Sequence, residues 1–136
     1  MSLSDPTYKV LVVSSSRRVG ESLMSRLPED LYAPVTLACS VSDARLLLTD
    51  GGYDIVIVDS PRWSAVWEEL ASEVCEKSCA GVLLLLTNED FPPVTGRVLP
   101  KGIMTLEKPL GKGEFLRTLT FLCGVRNRMR SLEMRT

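Results

Sequence analysis

Histidine is absent from the 136 residues. Its absence removes the Ser-His-Asp and Cys-His hydrolase arrangements, most proton-shuttle chemistry and the commonest metal-ligating side chain. Chemistry here falls to carboxylates, hydroxyls and lysines, and no enzymatic turnover is expected. Long apolar runs are missing too. The longest, Val82–Leu86, falls far short of the roughly 18 residues that suggest a membrane span. Met1–Thr7 has no apolar core or cleavage site, so no secretory signal is expected. The expected location is cytoplasmic, with no membrane partner. No CxxC pair occurs among Cys39, Cys75, Cys79 and Cys123. Cys75 and Cys79 share a face if helical, but without histidine these spacings make no recognisable zinc set. The four read as buried or half-buried free thiols in a reducing compartment.

Net charge is also lacking: 16 Lys plus Arg against 17 Asp plus Glu leave −1. That balance excludes a basic footprint over the whole chain for nucleic acid. With 45% hydrophobic and 24% charged residues, the composition is that of a folded domain rather than a disordered tail. Domains peak at about 100–150 residues, so one is expected, with no repeat or low-complexity stretch.

What is present is a steady alternation. Val10–Val13 is a short β-branched run that stops at Ser14-Ser15-Ser16, the pattern of a strand buried on both faces. Val19, Leu23, Met24 and Leu27 recur at helical spacing until Pro28. Pro34–Cys39 predicts a second strand. Ser40, with Asp43 three residues on, predicts a capped helix whose inner face is Val41, Ala44, Leu47 and Leu48 and which ends at Gly51-Gly52. Ile55–Val58 predicts the third strand, with Asp59 at its carboxyl end. Trp63–Lys77 predicts a helix with Val66, Leu70 and Val74, and Trp63 and Trp67 beside them, facing inward. Val82–Leu86 ends at Thr87. Asn88–Gly102, broken by Pro92, Pro93, Gly96 and Pro100, is expected to hold at most a short or irregular helix. Ile103–Leu106 runs into Glu107-Lys108-Pro109, and Glu114–Leu122 predicts the last helix, with Val125–Arg135 as its extension.

Strands alternating with helices specify an α/β parallel sheet with helices on both faces. Ligands in such sheets lie at the carboxyl ends of the strands. Ser14, Ser15, Asp59, Thr87 and Lys108 all fall at that rim. This set resembles the receiver domain of two-component response regulators, over Tyr8–Leu122. The resemblance implies a flavodoxin-like (CheY-like), three-layer, doubly wound five-stranded parallel sheet of order 2-1-3-4-5. It implies a receiver-like domain over 8–123 and a C-terminal helical linker, 124–136, leading to an output domain. It casts Asp59 as acceptor of a phosphoryl group from a histidine kinase and Thr87 and Lys108 as contacts to the phosphoryl oxygens. The Lys-Pro bond is often cis in that family. The chemistry agrees. A carboxylate is a competent nucleophile, and a phosphoryl group bringing about −1.5 to −2 charge calls for an ammonium and hydroxyl donors around it.

One departure stands out. Receivers carry two acidic residues after the first strand, which hold Mg²⁺ together with the phosphoacceptor, and here those positions read Ser14-Ser15. Mg²⁺ binding is therefore expected to be weak or absent, and no other cofactor is expected. Losing one electrostatic donor of this kind costs about 10²–10³ in rate, so phosphorylation is expected to be slow or missing. Arg17 and Arg18, directly after the serines, are either solvated or a fixed cation in the metal's place. In the second case the domain is a constitutive interaction module. Thr105 stands where the family has its switch aromatic.

Two further stretches, Glu76–Leu85 and Arg126–Glu133, resemble response regulators whose receiver feeds a coiled-coil helix into an ANTAR domain, an RNA-binding module of transcription antitermination. Ser60-Pro61 fits that subgroup, and the resemblance places the module after Thr136. Phe115, Leu122 and Met129 repeat every seven residues, with Val125 and Leu132 between them, so a second copy of the chain is a candidate partner. Arg126, Arg128, Arg130 and Arg135 make this end basic, but no aromatic is interleaved for base stacking, so no direct nucleic-acid contact is expected. A flavodoxin-type FMN protein is the alternative from another class. Its support is a hydroxyl-bearing loop at Ser14–Gly20 and a lone Gly111-x-Gly113.

Overall fold

Short, aliphatic stretches have little reason to form amphipathic helices, and in the computed structural model they pair into one sheet. The structure describes residues 7–135, without the side chains of 129–131 and 133–135. The reading of Met1–Thr7 as lacking a signal therefore lies, Thr7 apart, outside the described residues. The strands are β1 (Tyr8–Ser14), β2 (Tyr32–Ala38), β3 (Ile55–Asp59), β4 (Gly81–Leu86) and β5 (Met104–Glu107). They pair in parallel in the order β2-β1-β3-β4-β5. The helices are α1 (Arg17–Ser25), α2 (Val41–Thr49), α3 (Ala65–Lys77), α4 (Phe91–Val98, continued by a 3-10 turn at Leu99–Lys101) and α5 (Lys112–Arg135).

Alternation along the strands divides the core in two. Leu11, Val13, Val56, Val58, Leu84 and Leu86 face α2, α3 and α4, where Ala44, Leu70, Val74 and Val98 close over them. Val10, Val12, Ile55, Ile57, Leu83 and Leu85 face α1 and α5, under Leu23, Phe115 and Leu119. Asp59 continues the Ile55–Ile57 alternation and so belongs to the α1/α5 side. The central strands are buried on both faces, which is why they read as unbroken aliphatic runs.

Local signals set the helix ends. Ser16 and Ser40 each cap a helix, their hydroxyls accepting from the backbone N–H of Val19 and Asp43 at 3.3 and 3.0 Å. Gly51 and Gly52, at φ 71° and 82°, take the chain out of α2 in a conformation that L side chains resist. One element differs from expectation in detail. The inner face of α3 is Leu70, Ala71 and Val74, while Val66 is half exposed at 50%. The helix begins only at Ala65, and Ala71 completes the buried stripe instead. The 88–102 segment holds a short helix of eight residues, as expected, and Pro92 and Pro93 are tolerated in it because they fall in its first turn, where a missing N–H leaves no bond unmade. Among the described residues no helix is long and apolar enough to cross a membrane.

Candidate functional site

The parallel register brings the tips of β1 and β3 side by side, with Ser14 opposite Asp59. Asp59 lies in the sheet's interior, its side chain only 5% exposed, and its Oδ1 accepts a hydrogen bond from Lys108 Nζ at 2.7 Å. Lys108 is positioned by its own backbone N–H, which donates to the Leu86 carbonyl at the tip of β4. The Lys108-Pro109 bond that follows is cis. Beside this ion pair lies a cavity of about 210 Å³ reached between α1 and the β5–α5 loop, lined by Val19, Ser22, Arg26 and Leu110 among others. The Arg26 guanidinium lies over the Phe115 ring at 5.7 Å.

The other rim residues are differently engaged. Ser14 is buried, and its hydroxyl donates to the Ser16 carbonyl at 3.0 Å and accepts from the Ser16 N–H at 3.3 Å. Ser15 is exposed. The serine run thus shapes the turn into α1 and caps it. Arg17 and Arg18 are exposed on the first turn of α1, and among the described residues neither forms an ion pair with Asp59. The cation that reaches Asp59 comes from the β5–α5 loop. Thr87 is half-buried. Its hydroxyl donates to Asp90 Oδ2 at 3.1 Å and accepts from the Asp90 N–H at 3.3 Å. The same Asp90 oxygen accepts the Trp63 N–H at 3.3 Å, tying the loop after β3 to the loop after β4. Sequence reasoning passed over Asp90. The signal was there in Thr87 and an acidic residue three positions on, the spacing of a reciprocal cap. Among the described residues no group of three or more His, Cys, Asp or Glu is placed to hold a metal ion.

Two neighbouring features complete the surroundings. Thr105 and Thr95 share a hydrogen bond at 2.8 Å, joining β5 to α4. Between α3 and α4 a groove of about 590 Å³ is bridged by Glu68 and Arg97, whose closest contact is 2.8 Å. Arg97 first, and then the Trp63 indole N–H, hold the Glu68 carboxyl below the usual carboxylate range against a smaller opposing effect of burial. The four cysteines form no disulfide among the described residues, and burial pushes the Cys75 thiol up.

At the C-terminal end, α5 runs unbroken through Gly124. Phe115 and Leu122 are 1% and 3% exposed and belong to the domain's own core. The seven-residue repeat is therefore consumed inside the domain and leaves no free seam at these positions; the Met129 side chain lies outside the described residues. Among the described side chains of α5, the large apolar ones turned to solvent are Phe121, Val125 and Leu132. Arg126, read from sequence as part of a basic end, is mostly buried against Asp54. The side chains of Arg130 and Arg135 lie outside the described residues.

No protein-family model matches the chain, and no curated protein does. Solved structures match closely in shape. Adenylate cyclase from Rhodopirellula baltica superposes with a TM-score of 0.80 at 18% identity, over 95% of this chain and 96% of that one. The signal receiver domain of an HD domain-containing protein from Pseudomonas fluorescens Pf-5 gives 0.78 at 20% identity, over 96% of both chains. Vibrio cholerae chemotaxis protein CheY4 gives 0.71 at 23% identity, over 86% of this chain and 99% of that one. The architecture is the CheY-like receiver fold.

Proposed function

We propose that this chain is a receiver-like domain of two-component phosphorelay signalling, degenerate at its metal position, that controls an output module through its surface and α5. One observation carries the reading: a buried carboxylate at the tip of β3, held at 2.7 Å by a lysine from the β5–α5 loop, with serines where a metal-binding receiver has acids. Asp59 is a nucleophile in the right place. The donor set beside it does not fit Mg²⁺, which prefers one or two carboxylates with open positions for water and phosphate oxygens. The Ser14 hydroxyl is spent on the Ser16 backbone, and one oxygen of Asp59 faces an ammonium.

Lys108 supplies charge at the site, but one ammonium would neutralise less of the charge gathering on a transferring phosphoryl group than a divalent ion held there would. Phosphoryl transfer from a histidine kinase or a small phosphodonor is then slow, and control passes to surface contacts. No turnover is assigned. Resemblance of Glu76–Leu85 and Arg126–Glu133 to the ANTAR-linked subgroup supports an RNA-binding antitermination module as the output. A second reading, an interaction module never phosphorylated at all, is favoured by the engagement of Thr87 with Asp90.

The test is incubation with acetyl phosphate, and separately with fluoroberyllate, with and without Mg²⁺, read by intact mass and amide spectra. Slow, metal-independent modification at Asp59 supports the first reading, and none supports the second. Rapid, stoichiometric, Mg²⁺-dependent modification of the unaltered chain overturns both. Ser14→Asp combined with Ser15→Asp is expected to create metal-dependent modification.

A further inference from the structure

Strand β3 has a buried aspartate at each end. Asp59 closes it at the rim, and Asp54 precedes it at the opposite edge of the sheet. Their side chains are 5% and 4% exposed. Asp54 Oδ1 accepts from Arg126 Nε at 3.0 Å, across 72 positions of sequence, and Arg126 is itself only 15% exposed. The aspartate end of this pair is fixed by the sheet. Asp54 Oδ2 accepts the Lys9 N–H at 2.8 Å, the Asp54 N–H donates to the Lys9 carbonyl, and the Asp54 carbonyl accepts from the Gly81 N–H. The Tyr8 hydroxyl adds a second tie by donating to Asn127 Oδ1 at 3.0 Å.

The helix end is held quite differently from the rest of α5. Phe115, Leu119, Leu122 and Cys123 pack into the core. Arg126 takes the next position on that same stripe, so a charge stands where the pattern calls for an apolar residue. Beyond Cys123 no described apolar side chain of α5 is buried: Val125 is 40% and Leu132 55% exposed. Gly124 stands where one regime gives way to the other. A Cβ there would meet nothing within 4 Å, so packing does not require glycine, and glycine weakens a helix interior relative to alanine.

We infer that Gly124 and the Asp54–Arg126 pair form a hinge and a latch for the C-terminal part of α5. Latched, residues 125–135 continue the helix and leave the domain in one direction, from the sheet edge opposite Asp59. Unlatched, they retain no buried apolar contact among the described residues, and so short a helical segment is marginal by itself. Competition for Arg126 loosens the segment, against the weaker neutral Tyr8–Asn127 hydrogen bond, while the Asp54–Lys9 bond and the sheet keep their shape. The use of this release to control an output module rests on the receiver-like reading; the latch itself does not.

Hydrogen exchange read by mass spectrometry tests it on the whole chain. Asp54→Asn and Arg126→Met are each expected to speed exchange over 125–135 by about tenfold or more, with 113–122 and the central strands staying within about twofold. Gly124→Ala is expected to slow exchange over the same stretch. Arg126→Met leaves the Asp54–Lys9 bond intact and keeps an apolar stem, so it reports even where Asp54→Asn folds poorly. Unchanged exchange over 125–135 in Arg126→Met overturns the inference, and so does protection lost evenly across the sheet, the signature of a merely structural ion pair. Phosphorylation of Asp59 touches none of these outcomes, so the two proposals fail separately.

Discussion

Breaking the Asp59–Lys108 pair from either side has unequal consequences, because the two partners are unequally buried. Asp59 is 5% exposed and Lys108 27%, with 2.7 Å between them. At an effective dielectric constant of about 20 the gross attraction at this distance is about 6 kcal/mol, and in bulk water about 1.5 kcal/mol. The lysine's partial exposure moves the pair toward the lower figure and screens it. Net coupling of about 1.5–3 kcal/mol follows, the range of a charge-assisted hydrogen bond. Lys108→Met strands a buried carboxylate and is expected to cost about 2–4 kcal/mol. Asp59→Asn leaves only a lysine that can turn to water, and costs less. Urea unfolding of the two single variants and the double variant measures all three quantities. A coupling below about 0.5 kcal/mol, the level of an exposed pair, refutes the reasoning. So does a milder loss for Lys108→Met than for Asp59→Asn.

Leu119 is fully buried between α5 and the sheet, so Leu119→Ala is expected to cost about 2–5 kcal/mol in urea unfolding; a loss under about 1 kcal/mol contradicts the packing. Gly81→Ala brings a Cβ to 3.1 Å from Leu122 Cδ2 and 3.2 Å from its Cβ, and is expected to lower the melting temperature through overpacking of about 1–3 kcal/mol. The Glu68 carboxyl is depressed chiefly by Arg97. Its contribution is therefore present above the ordinary carboxyl range and is lost as pH falls through the folded-state value. Arg97→Met should flatten that part of the stability–pH profile, and an unchanged slope contradicts the assignment.

Much of the sheet was legible because β1, β3 and β4 are buried on both faces and permit little but aliphatic residues. Asp59 and Lys108 were legible as strand-end residues, since position at the rim follows from topology alone. What escaped was pairing. Nothing in the spacing of Thr87 says whether its hydroxyl turns toward Asp59 or toward Asp90, and the choice is made by a loop conformation that also recruits the Trp63 N–H. Arg126 was read only as part of a basic end, because its partner lies 72 positions away. The heptad over Phe115 and Leu122 was real, but a period near 3.5 describes a helix lying on a sheet as well as one lying on another helix. Only the packing distinguishes them.

The two buried aspartates tie β3 to the chain at both ends of the stretch that carries most of α5. Lys108 stands four residues before the start of α5, and Arg126 lies within it, so the segment between them is gripped at both ends by one strand. Between the grips, Leu122 lies so close to Gly81 that even a methyl group there would meet it at 3.1 Å. Close-packed interiors transmit displacement rather than absorb it, and β3 is hydrogen-bonded on both sides, to β1 and to β4. With that core intact, Lys108→Met is expected to loosen the entry of α5 and Arg126→Met its exit, each read by hydrogen exchange over its own end of the helix.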